Sequence, residues 1–439
     1  MVPGPTAKDI HHALRIDESR CNGCVECTKA CPAKAIRVRG GVARVLPERC
    51  IDCGECFRVC PRRAIIPVTT TYMDLTRFKY KVVLPSPALY SQFGPNTMPE
   101  DILQALLLLG FDYAYDKAYT CELVFSDVKK FIEENYSGDP FISPVCPAVT
   151  RLIQLMFPDL TDLILPFRAP REIAAKAIKS DVHKRLGIEE SEIGVIHITP
   201  CLAKLAAMAN PPTEEKSFLD GAVGISEVYG SLLGALKDSK AEKRDQPLHR
   251  SSGTGINFGR SGGEVAALGI EASLAVSGVK ETFNILKAVE RGKLRDIKYL
   301  ECQICPGGCI GGPLTVQNRY IASNTISSLV KLFGRKLKVE EMTDLEEYDR
   351  NYFRLASKIR PQAIPALDTD TSIAIGKMRL REQISRALPG KNCGACGAPD
   401  CKTLADDIVR GLASIEDCIF VKSGLAGGRI AELKGIRKR

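Results

Sequence analysis

Ile304-Cys305-Pro306-Gly307-Gly308-Cys309-Ile310-Gly311-Gly312 sets two thiols in a loop that is nearly half glycine. Thiolates select soft metals, and glycines let backbone pack against a bulky inorganic centre. Two further cysteines sit beside prolines upstream, Cys146 in Ser143-Pro144-Val145-Cys146-Pro147 and Cys201 in Thr199-Pro200-Cys201-Leu202-Ala203-Lys204. Taken singly, each of these would more often be a buried small hydrophobe. Cys201, however, directly follows the β-rich run Gly194–Thr199, and open α/β sheets place their ligands beyond the carboxyl ends of strands.

The other cysteines fall into three tighter sets. Cys21-x2-Cys24-x2-Cys27-x3-Cys31-Pro32 and Cys50-x2-Cys53-x2-Cys56-x3-Cys60-Pro61 repeat one pattern. It is the bacterial two-cluster ferredoxin run, in which the fourth cysteine serves the other cluster. Cys21, Cys24, Cys27 and Cys60 are therefore expected to hold one [4Fe–4S] unit, and Cys50, Cys53, Cys56 and Cys31 a second. The last set, Cys393-x2-Cys396-x4-Cys401-x16-Cys418, has four thiols and no histidine, which suits a cubane or a structural zinc. Of the 18 cysteines only Cys121 and Cys302 stay outside these sets. Disulfide frameworks belong to small secreted domains, so neither is expected in a disulfide, and Cys121 reads as a buried small residue.

The chain has 439 residues, a formal charge of +9, and no apolar secretory core or membrane-length apolar run. A cytoplasmic protein without a membrane span is the expectation. Cubanes held by thiolates are anionic, and four would bring the folded charge to about +1. The basic balance is then compensation, and no nucleic-acid partner is expected.

The repeat spans roughly 30 residues per cysteine run and encloses a strand-like stretch, Ala35–Leu46, with a turn at Gly40-Gly41. From Tyr80 onward, apolar runs (Lys81–Leu84, Asp112–Tyr115, Gly194–Thr199) alternate with helical periodicity (Pro99–Leu109, Arg171–Leu186). That alternation favours an α/β fold with mostly parallel sheets. Ser251–Gly263 reads as a glycine-rich loop, Arg360–Ser372 as linker, and Ile373–Leu388 and Lys402–Leu412 as helices. The boundaries drawn are residues 1–74 for a small α+β ferredoxin-like domain, 75–362 for the α/β domain, 363–374 for a linker, and 375–439 for a small, mainly helical Fe–S domain.

Pro-x-Cys-Pro, Pro-Cys-x-Ala-Lys and Glu-x3-Cys-x-Gly-Gly-Cys-x-Gly-Gly occur here in the order of the three signatures of the [FeFe]-hydrogenase catalytic domain, and the chain resembles that family over about residues 80–355. Leu84-Pro85-Ser86-Pro87-Ala88, Leu107–Asp116 and Phe258-Gly259-Arg260-Ser261-Gly262-Gly263 carry the same likeness. The resemblance implies two lobes with an H-cluster between them. Its [4Fe–4S] cube would lie on Cys146, Cys201, Cys305 and Cys309, with Cys309 bridging to a diiron subsite carrying CO, cyanide and an azadithiolate. It further implies that Lys204 hydrogen-bonds a cyanide, that Ser86 and Pro87 lie beside the second cyanide and the dithiolate, and that Gly262 and Gly263 approach the cofactor. The Cys393-Gly394-Ala395-Cys396-Gly397 segment resembles the small iron–sulfur domain of membrane electron-transfer subunits and corrinoid-protein reductases.

The departures are equally specific. Val145 stands where productive members have a proton-carrying cysteine, Thr199 and Gln303 replace two methionines, and Cys302 is an added thiol. Relay glutamates have no match in Glu122–Glu134, where Glu122 and Asp127 are the nearest carboxylates. These changes, with the C-terminal cluster, resemble the sensory type of the family (groups C and D). Such members usually carry a PAS or signalling domain after this point. The resemblance implies a slow iron hydrogenase interconverting protons and H2, with Glu301, Cys302 or water as another proton route. Its partners would be maturation proteins and a redox partner such as ferredoxin or a downstream signalling protein. The alternatives are a non-catalytic electron-transfer or regulatory protein lacking the diiron subsite, and a hydrogenase-like iron–sulfur assembly factor.

Overall fold

The computed structural model describes residues 12–213, 216–239, 247–336 and 352–424. They cluster into two compact units, one comprising residues 1–50, 54–67 and 362–439 and the other residues 51–53 and 68–361.

The larger unit is built on two parallel sheets. In the first, Tyr80–Pro85 lies between Tyr113–Ala114 and Ile193–Thr199, and Gly221–Gly224 pairs with the far side of Ile193–Thr199. Val82, Val83 and Leu84 are fully buried. A strand buried on both faces needs helices on both, which is how parallel sheets are covered. The helix Pro170–Leu186 supplies Ala174, Ala175, Ile178 and Val182 to one face, against Val82, Leu84 and Val195. Pro99–Leu107, Ile225–Ser239 and Arg319–Phe333 cover the other, against Val83 and Ile198. The second sheet has the order Ser273–Ser277, Tyr299–Gln303, Phe141–Ile142, again parallel. The segments that follow Pro85, Thr199, Ile142 and Gln303 carry Ser86, Cys201, Cys146 and Cys305, so all four leave strand carboxyl ends.

The smaller unit contains the cysteine-rich ends. Ile36–Arg39 and Val42–Val45 form a hairpin across Gly40-Gly41, both glycines at positive φ, as a tight two-residue turn requires. Leu14–Ile16 pairs with Ile65–Pro67. Thr371–Ala387 and Cys401–Val409 enclose a core of Ile384, Leu388, Leu404, Ala405 and Val409.

Two features differ from the sequence reading. Sequence reading treats residues 1–74 and 375–439 as separate domains; in the structure the two ends cluster into one compact unit, joined by a buried Arg37–Asp407 pair. Within Ser251–Gly263, Gly253–Asn257 is helical rather than loop. Glycines lower helix propensity, but here outside groups hold the turn: Ser252 Oγ accepts from Thr254 N–H, and Glu122 accepts from the Ser252 and Gly255 amides.

Candidate active site

Cys146 and Cys201 each occupy the residue before a helix, Pro147–Met156 and Leu202–Ala209. Helix N-termini present unpaired N–H groups and a positive dipole end, which favour an anionic centre. The backbone amides of Ile304 and Val149 favour a charged Cys146 sulfur, and those of Lys204 and Ala203 a charged Cys201 sulfur. Burial pushes the Cys146 thiol up to about 11, with added repulsion from Cys201 and Cys309. Cys201 is likewise raised by burial, with Cys309 adding to it. The charges of these sulfurs, from three loops, thus act on one another. Repelling thiolates without a cation between them are costly, and a metal cluster removes that cost.

The Cys305–Cys309 loop is closed on itself and on its neighbours. Gly308 N–H donates to Cys305 O, Ile310 N–H to Gly259 O, and Leu314 N–H to Pro200 O. Gly308 has φ +91, and any Cβ there would strike Gln303 Oε1 and the Ser261 amide. Only glycine fits such a backbone.

Lys204 is buried, with Nζ 3.2 Å from Cys309 Sγ. Burial opposes its charge, but the Cys309 and Cys201 sulfurs outweigh that and hold its pKa above the ordinary lysine range. A second buried lysine, Lys117, points its Nζ to within 3.9 Å of Cys121 Sγ and 5.8 Å of the Phe258 ring centre. Burial lowers its pKa, and Lys204 and Arg171 lower it further, against pull from Cys121 and Cys309. His197 Nδ1 donates to Leu84 O at 2.7 Å, while its buried Nε2 has no hydrogen-bond partner among the described residues. Burial, then Lys117 and Lys204, hold this imidazole neutral, far below its usual range. Among the described residues neither Lys117 nor Lys204 pairs with a carboxylate. Buried cations without counter-charges are strongly unfavourable, so the donor set suits an anionic occupant beside Cys309.

The remaining residues singled out in the sequence take these places. Ser86 is buried, its amide bonded to Ile198 O and its Oγ accepting from Ala88 N–H ahead of the short helix that Pro87 begins. Thr199 Oγ1 accepts from the Cys201 amide. Val145 lines a cavity of about 30 Å³ with Cys121, Phe258, Glu264 and Tyr299. Cys302 is buried, and burial followed by the charges of Cys146 and Glu301 keeps its thiol protonated. Gly262 gives its amide to Glu301 at 2.9 Å, and Gly263 packs on Asn257 O. Glu122, the nearest carboxylate in its helix, is consumed by the Ser252–Gly255 turn.

Sequence reading named Glu301 but missed the carboxylate that acts on it, Glu264. Glu264 Oε2 accepts from Ser143 Oγ at 2.6 Å and from Tyr299 OH at 2.7 Å, while Oε1 has no partner. Burial raises Glu264, and burial followed by repulsion from Glu264 raises Glu301. It also missed Lys117 and His197, since a lone lysine in a helix reads as surface and a lone histidine in a strand as core.

The smaller unit shows its own convergence. Cys21, Cys24, Cys27 and Cys60 line one cavity. Burial and then the charges of Cys24, Cys21 and Cys60 push the Cys27 thiol up to about 11. Amides of Ala43, Ala35 and Ala64 donate to the sulfurs of Cys21, Cys31 and Cys60, and such bonds stabilise and tune iron–sulfur clusters. At the other end, Cys396 is raised by burial and by Cys418 and Cys393, while Cys401 packs into the same core.

Residues 79–274 match the profile of the iron only hydrogenase large subunit, C-terminal domain; residues 13–61 match a 4Fe-4S dicluster domain and residues 388–420 an Fe-S cluster family. The chain is 26% identical over 373 residues to the periplasmic [Fe] hydrogenase large subunit of Nitratidesulfovibrio vulgaris, covering 71% of this chain and 88% of that one. It is 24% identical over 289 residues to the NADP-reducing hydrogenase subunit HndD of Solidesulfovibrio fructosivorans, covering 53% of this chain and about half, 49%, of that relative. A variant of apo [FeFe]-hydrogenase HydA1 from Chlamydomonas reinhardtii superposes with a TM-score of 0.52 at 14% identity, over 66% of this chain and 99% of that one, a likeness of fold. With the fold and site above, these matches define a hydrogenase-fold iron–sulfur protein. More closely, the chain is similar to the [FeFe]-hydrogenases. No helix among the described residues is long and apolar enough to cross a membrane.

Proposed function

We propose that the protein is a low-turnover [FeFe]-hydrogenase that interconverts two protons and two electrons with H2 and serves a sensory or regulatory role. The observation that carries this reading is the buried Lys204 ammonium, 3.2 Å from Cys309 Sγ and without a carboxylate partner among the described residues. Cys146, Cys201, Cys305 and Cys309 would hold a cube, with Cys309 shared with the diiron subsite. When bound, that group supplies an open iron and a basic amine for proton and hydride chemistry. Lys204 would hold one of its anionic ligands by a charge-assisted hydrogen bond, Ser86 and Pro87 would border it, and Lys117 would add a second positive charge. The residue sets at 21–60 and 393–418 would hold three further [4Fe–4S] clusters, serving a redox partner such as ferredoxin or a signalling protein.

Val145 can neither give nor accept a proton, and loss of a general acid–base group typically lowers rates by about 100-fold to 10,000-fold. Burial raises both Glu264 and Glu301, so each keeps its proton to higher pH than a free carboxyl group. Ser143 bonds Glu264 and also accepts from the Val145 amide at 3.2 Å, so this carboxyl group reaches the loop that bears Cys146. It offers a side route in place of the missing thiol.

Infrared spectroscopy of protein matured anaerobically tests the reading. CO and cyanide bands that shift in Lys204→Met are expected. Fully matured protein without such bands would reduce the function to electron transfer on the same fold.

A further inference from the structure

We infer that the Cys393–Cys418 site and the Cys21/Cys24/Cys27/Cys60 site are electron-exchanging neighbours, and that the buried Arg37–Asp407 pair holds them in register. This rests on reading both sets as [4Fe–4S] ligands and is independent of the hydrogen chemistry.

Asp407 is almost wholly buried and receives Arg37 Nε at 2.6 Å and Arg37 Nη2 at 2.9 Å, a bidentate contact across 370 residues of sequence. Arg39 adds an Nη2 contact to the same carboxylate at 3.0 Å and gives Nη1 to the carbonyl of Cys396. Lys34–Asp400 and Arg49–Asp406 pairs flank this lock. Bidentate arginine–carboxylate pairs fix orientation as well as distance.

The lock brings the cysteine loops themselves into contact. Val38 N–H donates to Gly397 O at 2.9 Å. Gly397, at φ +79, lies so close that a Cβ would run into Val38 O, and a Cβ on Gly394 would meet Lys29 Cε at 3.2 Å and Val25 Cγ2 at 3.6 Å. Val25 and Val38 line the cavity formed by Cys21, Cys24, Cys27 and Cys60. The same two residues therefore touch the first site and the Gly394–Gly397 turn of the last. Tunnelling rates fall exponentially with separation, so two centres whose ligand loops touch exchange electrons rapidly. Cubanes held by four thiolates repel each other as anions, and Arg39 and Lys29 stand between the loops to offset that repulsion. In the exchange one cluster loses one electron as the other gains it, and no proton or atom moves. A structural zinc would have no use for this placement.

The test uses full-length protein isolated anaerobically and fully reduced, with metal analysis and electron paramagnetic resonance. The wild type is compared with Cys393→Ala/Cys396→Ala, which removes the last site, and with Arg37→Gln/Asp407→Asn, which neutralises the lock. Removal of the last site should delete one spin per chain and slow relaxation of a remaining ferredoxin-type signal several-fold. The neutralised lock should keep the iron content and slow relaxation in the same direction. Zinc at the last site, or a wild-type spectrum equal to the deletion variant plus an isolated cluster, would overturn the inference. Unchanged relaxation in an iron-replete lock variant would overturn the role of Arg37 and Asp407. If the lock variant fails to fold, the deletion comparison still decides. Infrared bands of the diiron subsite report on the hydrogenase reading separately.

Discussion

The two units collect sulfur ligands in opposite ways. In the smaller one, a short cysteine run supplies most of a site's sulfurs locally, and backbone amides at Ala35, Ala43 and Ala64 supply much of the polar support. In the larger one, loops from residue 146 to residue 309 meet only because parallel strands end side by side, and buried side-chain cations supply the support. Local ligation needs little tertiary structure, since closing a short loop costs little entropy. Distant ligation is only as good as the sheets that aim it. The first kind suits a wire, and the second suits a chamber whose walls can be chemically varied.

The sharpest break in this comparison is expected at Arg37, where the smaller unit depends on a distant contact. Arg37→Met leaves Asp407 buried with only Arg39. Removing one partner of a buried pair typically costs about 3–5 kcal/mol, and the remaining arginine places the expectation near ~3. Denaturant unfolding of the iron-replete protein checks it. By contrast, Lys34→Met at the half-exposed Asp400 pair should cost under ~1 kcal/mol.

Lys204→Met tests the larger unit. It removes the only hydrogen bond that Cys309 Sγ receives from a side chain among the described residues. Hydrogen turnover should fall about 100-fold to 1,000-fold, the usual consequence of deleting an electrostatic donor at a reacting centre. The Cys146–Cys309 cube should persist by iron content, because its sulfur ligands remain.

These contrasts also explain what the sequence could and could not reveal. Alternating apolar runs announced the strands Tyr80–Pro85 and Ile193–Thr199, and the glycine-rich signatures pointed to the sulfur-bearing loops. The Arg37–Asp407 contact was not legible, because nothing local distinguishes an arginine that will be buried by a segment 370 residues away. Lys117 was hidden for a related reason: its burial beside Cys121 exists only in three dimensions. Glu264 read as an ordinary helix-start carboxylate, and only packing against Ser143 and Tyr299 makes it unusual. Gly253–Asn257 escaped because groups outside the segment cap it.

A smaller effect is expected at the proton route. Val145→Cys should raise turnover about 10-fold or more if the absent thiol limits the rate. Glu264→Gln in the same background should then matter little, whereas in the wild type it should lower turnover about 10-fold or more. Equal losses in both backgrounds would remove Glu264 from the route. Hydrogen evolution by the four proteins, normalised to infrared-detected subsite, supplies the comparison.

The last expected effect is a pH dependence. Glu301 is raised first by burial and then by Glu264, with the Val265 and Gly262 amides opposing. A carboxyl group whose folded pKa is raised stabilises the fold fully below the unfolded value of about 4.3, and that contribution is lost as pH rises through the folded value. Wild-type stability should therefore decline from mildly acidic toward alkaline pH, at up to ~1.4 kcal/mol per pH unit while this group titrates. Glu301→Gln keeps an acceptor for the Gly262 amide but does not ionise, so its melting curve should be flatter over that range. The variant's advantage should grow with pH and vanish below about pH 4. Parallel pH profiles in both proteins would mean that Glu301 is charged in the fold, and would end its candidacy as a proton store.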